Sequence, residues 1–338
     1  MRPKILVDDN IPFIEGRLEK VADVTYLDQF GFTPETVRDA DALIIRTRTR
    51  CNEALLSGSK VKLIATATIG TDQIDMQWCA EKGIKVCNSP GCNAPGVAQY
   101  VWSALLREGF EPGVHRLGVV GNGNVGSIVA GWGRLLGAEV WINDPPQEKA
   151  GVSGEYHTLD EIVRDCDAVT LHTPLIRTGE NPTYHLIGRH ETDLMKHGSI
   201  LVNAARGEVL DTVPVLEAVA DGRIRGIIDT WEGEPDLNTE LLRVADIGTY
   251  HIAGYSREGK QRATRMVLEA VEDFFGVKVD KNGLAPAYIP WSGLTRDAII
   301  ESYDPYKDSN ELKQAPEKFD ILRRNYDYRE EVRGELRY

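Results

Sequence analysis

An α/β fold of two parallel, helix-covered sheets is what this 338-residue sequence predicts, and three observations carry the prediction. Short β-rich runs alternate with helical patterns from the first residues, and such alternation implies βαβ units. The alternation restarts at RLGVVGNGNVG, residues 116–126, as a second series of the same kind. Composition is ordinary for a globular protein, 42% hydrophobic and 27% charged, with length for two or three domains.

The first series reads KILVDD, a helix, DVTYL, a helix, ALIIR, a helix, KLIATAT, a helix and IKVCN. NAPGVAQYVWSALLREG is a longer helix placed to bridge to the second series. That series continues from AEVWIND through strands near AVTLHTP, SILVNAA, GIIDTW and DIGTYH. After HIAGYS, the stretch EGKQRATRMVLEAVEDFFG is a strongly periodic helix ending at Gly276. From about residue 281 prolines, tyrosines and charges dominate, and ILRRNYDYREEVRGEL reads as a charged helix with few apolar positions. A segment so thin in core residues should pack on the body or on another subunit.

Several classes of protein are disfavoured. A net charge of −13 and a pI near 5.1 argue against nucleic acid or an anionic membrane as main partner. No run of about 18 apolar residues marks a membrane span, and the N-terminal MRPKILVDDN reads as a strand rather than a signal peptide. Cys51, Cys79, Cys87, Cys92 and Cys166 form no CxxC pair and read as reduced thiols of a cytoplasmic protein. No metal site is expected.

Gly121-Asn-Gly123-Asn124-Val125-Gly126 follows the apolar strand LGVV and opens a helical pattern. That is the context a dinucleotide fingerprint requires: glycines for the tight turn and for backbone approach to pyrophosphate, then a helix N-terminus for the phosphates. The next strand ends in Asp144, positioned for a ribose diol, and is followed by Pro145 and Pro146 rather than an arginine for a 2′-phosphate. NAD is therefore expected over NADP.

Three later stretches place polar residues just past strands, where open α/β sheets bind ligands. NAARGEVLD offers Arg206; DTWEGEP offers Asp229, Glu232 and Glu234; TYHIAGYS offers His251 and Tyr255. Hydride transfer from a 2-hydroxy acid needs a bidentate cation for the carboxylate, a base for the hydroxyl proton and an acid to orient that base. Arg206, His251 and Glu234 satisfy the three demands. Individually, each has a bland reading as a surface arginine, a structural histidine or a solvated acidic turn.

VGNGNVG, HTP, NAARGEVLD, DTWEGEP and HIAGYS, in that order over about residues 1–280, resemble the D-isomer-specific 2-hydroxyacid dehydrogenases. The resemblance implies two Rossmann-like parallel-sheet domains with a cleft between them. A substrate-binding domain would comprise 1–94 and 255–280, an NAD domain 95–254, and a small dimerisation region 281–338, making a homodimer. It also implies a catalytic Arg206, an acid/base His251 paired with Glu234, Asp229 beside the nicotinamide and Thr173 lining the NAD site.

ILVDDNIP, IATATIGTDQID, SPGCNAPGVAQYV, INDPP, HIAGYSREGK and ILRRNYDYRE narrow the likeness to one branch of the family. That branch oxidises a small phosphorylated hydroxyacid, 4-phospho-D-erythronate, to 2-oxo-3-hydroxy-4-phosphobutanoate in pyridoxal 5′-phosphate biosynthesis. There Thr47, Thr68 and Tyr255 match substrate-contacting positions. Gln73 and Gln99 depart from the His and Glu usual in the branch. The alternatives are a dehydrogenase of another hydroxyacid, such as phosphoglycerate, and an NAD-sensing corepressor on the same fold.

LIIRTRTR, residues 43–50, bears on the substrate's second anionic group. A strand running through it would line Arg46, Arg48 and Arg50 on one side. A match at Thr47 instead implies a strand ending at about Arg46. Arg46 would then assist substrate binding, with Arg48 and Arg50 solvated.

Overall fold

The computed structural model describes residues 2–286, 291–332 and 335–336. The chain forms two compact units, Met1–Asn93 with Arg257–Tyr288, and Ala94–Ser256 with Ile289–Tyr338.

In the first unit β1 (Lys4–Asp8), β2 (Asp23–Leu27), β3 (Ala42–Ile45), β4 (Leu63–Thr66) and β5 (Lys85–Cys87) form a parallel sheet in the order β2-β1-β3-β4-β5. Its central strands are apolar at successive positions because both faces are covered. Ile5, Val7, Ala42 and Ile44 pack on Val267, Leu268 and Val271 of the helix Arg257–Phe275. Leu6, Leu43 and Ile45 face the other way, toward Leu55, Leu56 and Cys79. The long helix stops at Gly276, where φ is +67°.

Two sequence expectations need correction. No helix follows β1: residues 9–22 are turns, with Pro12 in the segment and positive φ at Phe13 (+65°) and Gly16 (+80°). Helix-spaced Ile11, Ile14 and Leu18 nevertheless remain buried on the sheet. At the other end, ILRRNYDYREEVRGEL is helical only to Arg324. Beyond that the exposed Asp327 sits between the half-buried Tyr326 and Tyr328, an alternation of period two. Arg329 forms a β-bridge with Ser256.

The second unit is built on β6 (Arg116–Val120), β7 (Glu139–Asn143), β8 (Ala168–Leu171), β9 (Ile200–Asn203), β10 (Arg225–Ile228) and β11 (Ile247–Gly248). They form a parallel sheet in the order β11-β10-β9-β8-β6-β7. Strand order reverses at β6, with β7 on one side and β8 on the other, so the turns after β6 and β8 open a crevice at the carboxyl ends. The helix Ala94–Arg107 is buried on nearly every face. Leu294, Ile299, Tyr303, Leu312, Phe319 and Val332 from the C-terminal segment join the same core.

Candidate active site

β6 ends in a turn that only glycine fits at two places. Gly121 has φ +89°, and a Cβ there would lie 2.8 Å from the His172 carbonyl oxygen and 3.1 Å from Thr173 Cγ2. A Cβ on Gly126 would lie 1.9 Å from the Gly121 carbonyl oxygen, so the helix Asn124–Leu135 can approach the strand only without one. Gly123 N-caps that helix and supplies no side-chain acceptor; Gly123 and Asn124 are exposed. The first N–H groups are thus left for an anion. Asp144 closes the far side, accepting from Asn122 N at 2.7 Å and from Gln147 N at 3.0 Å. Thr173 Oγ1 is covered and has no hydrogen-bond partner among the described residues. A cradle of open N–H groups, a close-approach glycine and an orphaned hydroxyl fits a dinucleotide.

His172, beside this turn, shares a 3.0 Å hydrogen bond with Thr170 Oγ1. Burial pushes its pKa down to about 3, so the ring is neutral.

The second cluster gathers around loops after β9, β10 and β11. A Cβ on Gly207 would fall 2.0 Å from the Trp231 carbonyl carbon, so the Arg206–Gly207 backbone lies directly on the loop that leads to Glu234. Asn203 Nδ2 donates to the carbonyls of Arg206 (2.9 Å) and Thr230 (3.3 Å) and ties the two loops together. The half-buried Arg206 donates to the Ala205 carbonyl at 2.8 Å and makes no ion pair among the described residues. Most of its fork is left for a ligand.

His251 Nδ1 and Glu234 Oε1 are 2.5 Å apart. Burial raises the Glu234 carboxyl's pKa. The charge and hydrogen bond of His251, the charge of Arg323 and the Trp231 N–H together outweigh it and hold the group below the usual range. The carboxylate therefore fixes Nδ1 as the proton-bearing nitrogen and leaves Nε2 for chemistry. His251 has φ +59°, a left-handed conformation that costs a non-glycine residue about 1 kcal/mol or more.

That conformation is braced from within. Asp229, buried, accepts from Thr249 Oγ1 (2.6 Å), Ile252 N (2.8 Å) and Ala253 N (3.0 Å). Its carboxylate is thus a staple for the histidine loop. Glu232, three residues on, pairs with His185 Nε2 at 2.7 Å and Thr212 Oγ1 at 2.7 Å, apart from the His251 pair. Tyr255 packs edge-on against Tyr326 and Tyr328.

Arg329, not singled out in the sequence, grips the same loop from behind. It donates to the carbonyls of Ile252 (3.0 Å), Ala253, Tyr255 (3.3 Å) and Gly96 (2.9 Å), and to Gln99 Oε1 at 3.3 Å. Gln99 in turn donates to Ser302 Oγ and the Glu330 carbonyl.

In the first unit β3 ends at Ile45, as the Thr47 match implies. Arg46 donates to the Asn10 carbonyl at 2.7 Å, and Thr47, Arg48 and Arg50 are exposed. Thr68 Oγ1 lies 2.7 Å from Thr66 Oγ1 and donates to Gly70 O. Gln73 Nε2 donates to the Arg46 carbonyl at 3.0 Å and to Thr66 Oγ1 at 3.2 Å, so the departure from His preserves a donor that holds this turn. Among the described residues no group of three or more His, Cys, Asp or Glu is arranged to hold a metal, and no helix is long and apolar enough to cross a membrane.

Residues 96–253 match the NAD binding domain of D-isomer specific 2-hydroxyacid dehydrogenases. The chain belongs to that family, and its cofactor is NAD. More particularly, it is 47% identical to an erythronate-4-phosphate dehydrogenase of Bacteroides fragilis, over 97% of each chain. It is 39% identical to one of Escherichia coli, over 96% of this chain and 90% of the relative. NAD-bound 3-phosphoglycerate dehydrogenase of Entamoeba histolytica superposes with a TM-score of 0.67 at 26% identity, covering 82% of this chain and 96% of that one.

Proposed function

We propose that the enzyme oxidises 4-phospho-D-erythronate at C2 to 2-oxo-3-hydroxy-4-phosphobutanoate, a step toward pyridoxal 5′-phosphate. The observation that carries the chemistry is the 2.5 Å His251–Glu234 pair on loops tied to that of Arg206. The name shared by relatives that match nearly the whole chain supports the phosphorylated substrate.

NAD, when bound, takes up the hydride that leaves C2. Arg206 holds the substrate carboxylate through two parallel N–H donors and so presents C2 and its hydroxyl to His251. His251 Nε2 accepts the hydroxyl proton as the carbonyl forms, and the imidazolium is stabilised by Glu234 across Nδ1. Gly121, Gly123, Asn124, Val125 and Gly126 hold the pyrophosphate, Asp144 the ribose diol and Thr173 the adjoining wall. Asp229 acts beside the nicotinamide by fixing the loop of His251. Thr47, Thr68 and Tyr255 contact substrate, and Arg46 assists by shaping the turn that carries Thr47.

NADH formation from 4-phospho-D-erythronate and from 3-phosphoglycerate, measured side by side, tests the assignment. Exclusive use of 3-phosphoglycerate would overturn it, and tight NAD binding without turnover of either would favour a sensing role. We also propose a cytoplasmic homodimer joined through residues 281–338, a segment that exposes Ile321. A monomer by light scattering at micromolar concentration would refute the dimer.

A further inference from the structure

The proposed substrate carries two anionic groups, and Arg206 accounts for only the carboxylate. Arg46 gives one N–H to the Asn10 carbonyl and shapes the turn that carries Thr47. A phosphate taken out of water without a cation is costly, so the substrate calls for a second cation, and one beside the His251 loop would meet that need.

The C-terminal helix Phe319–Arg324 brings one there. Arg323 Cζ lies 5.7 Å from the ring centroid of Tyr255, four residues beyond His251. Arg323 Nε is covered and has no hydrogen-bond partner among the described residues. Its guanidinium makes no ion pair among them either, yet its charge is felt at Glu234. Covered donors in folded proteins almost always have acceptors. A guanidinium held over a tyrosine, with an unused donor and no carboxylate partner, is suited to the planar, two-point recognition of a phosphate.

We propose that Arg323 binds the phosphate of the substrate, with the Tyr255 ring as the platform that aims it. This places phosphate specificity in the C-terminal segment rather than in the arginine run after β3. The proposal rests on the phosphorylated-substrate reading above.

Two measurements separate the two ideas. Calorimetric titration with inorganic phosphate, in the presence of NAD, reads Arg323 directly. Binding by the wild type that is lost in Arg323→Met and partly restored in Arg323→Lys sustains the proposal. Equal binding by wild type and Arg323→Met, or no binding by the wild type, overturns it. Steady-state kinetics with 4-phospho-D-erythronate and D-erythronate then test specificity. Arg323→Met should raise KM for the phosphorylated substrate about 30- to 100-fold, a loss far larger than that for D-erythronate. Equal losses on both would mean that Arg323 acts only through Glu234. A wild-type enzyme with no preference for the phosphorylated substrate would instead sink the functional reading, leaving the phosphate titration to decide Arg323.

Discussion

Replacing Arg329 with Met should damage both stability and catalysis, and the size of the effect follows from its contacts. The guanidinium satisfies the carbonyls of Gly96, Ile252, Ala253 and Tyr255. Hydrogen bonds from a charged donor are worth about 1.5–3 kcal/mol each, so four summed independently would give about 6–12 kcal/mol. Met fills much of the volume and the carbonyls can turn toward water, so a loss of about 4 kcal/mol is the reasonable expectation. Lys, with three donors, should recover about half of that. Guanidinium unfolding followed by tryptophan fluorescence suits the measurement, because Trp102, Trp132, Trp141 and Trp231 all lie in the second unit. Catalysis should suffer too, since the released carbonyls flank the left-handed His251. A shift of about 1 Å in a catalytic group costs on the order of 100-fold in kcat. A variant with an unfolding midpoint and a kcat both close to wild type would refute the bracing role.

Glu234→Gln should lower kcat about 1000-fold with little change in KM. A unit charge about 4 Å from the imidazolium, at an effective dielectric constant of about 20, is worth about 4 kcal/mol; an unchanged kcat in NADH-formation assays would remove Glu234 from the reaction. Gly123→Ala should leave the melting temperature intact, because the added Cβ meets nothing within 4 Å. It should weaken NAD about 10- to 100-fold by crowding the pyrophosphate, and equal NAD affinity in a fluorescence titration would move the phosphate elsewhere. His172 should make the protein acid-sensitive. Below pH 6.5 the unfolded chain protonates it, while the folded ring resists down to about 3. Stability should therefore fall by about 1.4 kcal/mol per pH unit through that window, and His172→Gln should flatten the slope; parallel slopes would contradict this.

What could be read from the sequence was whatever leaves a local trace. Gly121 and Gly126 follow a strand because a backbone contact excludes any Cβ, and that constraint is written as a spacing. Arg206 and His251 stand out as polar residues just past apolar runs, and Glu234 as an acid in the polar turn DTWEGEP that follows another. The turns after β1 were misread because Ile11, Ile14 and Leu18 keep helical spacing while Pro12 and the positive φ at Phe13 and Gly16 forbid the helix. Arg329 shows in the sequence only as one letter of ILRRNYDYRE, and nothing there marks its role. Its partners are mainly carbonyl oxygens, which every residue has, and one of them is 233 positions away. The strand end at Ile45 was legible only through resemblance, since the alternation RTRTR itself argues for continuing the strand.

The reach of that contact has a consequence for biosynthesis. Gly96 and the histidine loop emerge from the ribosome long before residue 329 does, yet they are locked only when it arrives. Domains ordinarily fold as they are synthesised, and here the dinucleotide turn can form early while the loop bearing His251 waits. The nascent chain should thus bind NAD before it can turn over substrate, with catalytic competence conferred only once residue 329 has been made.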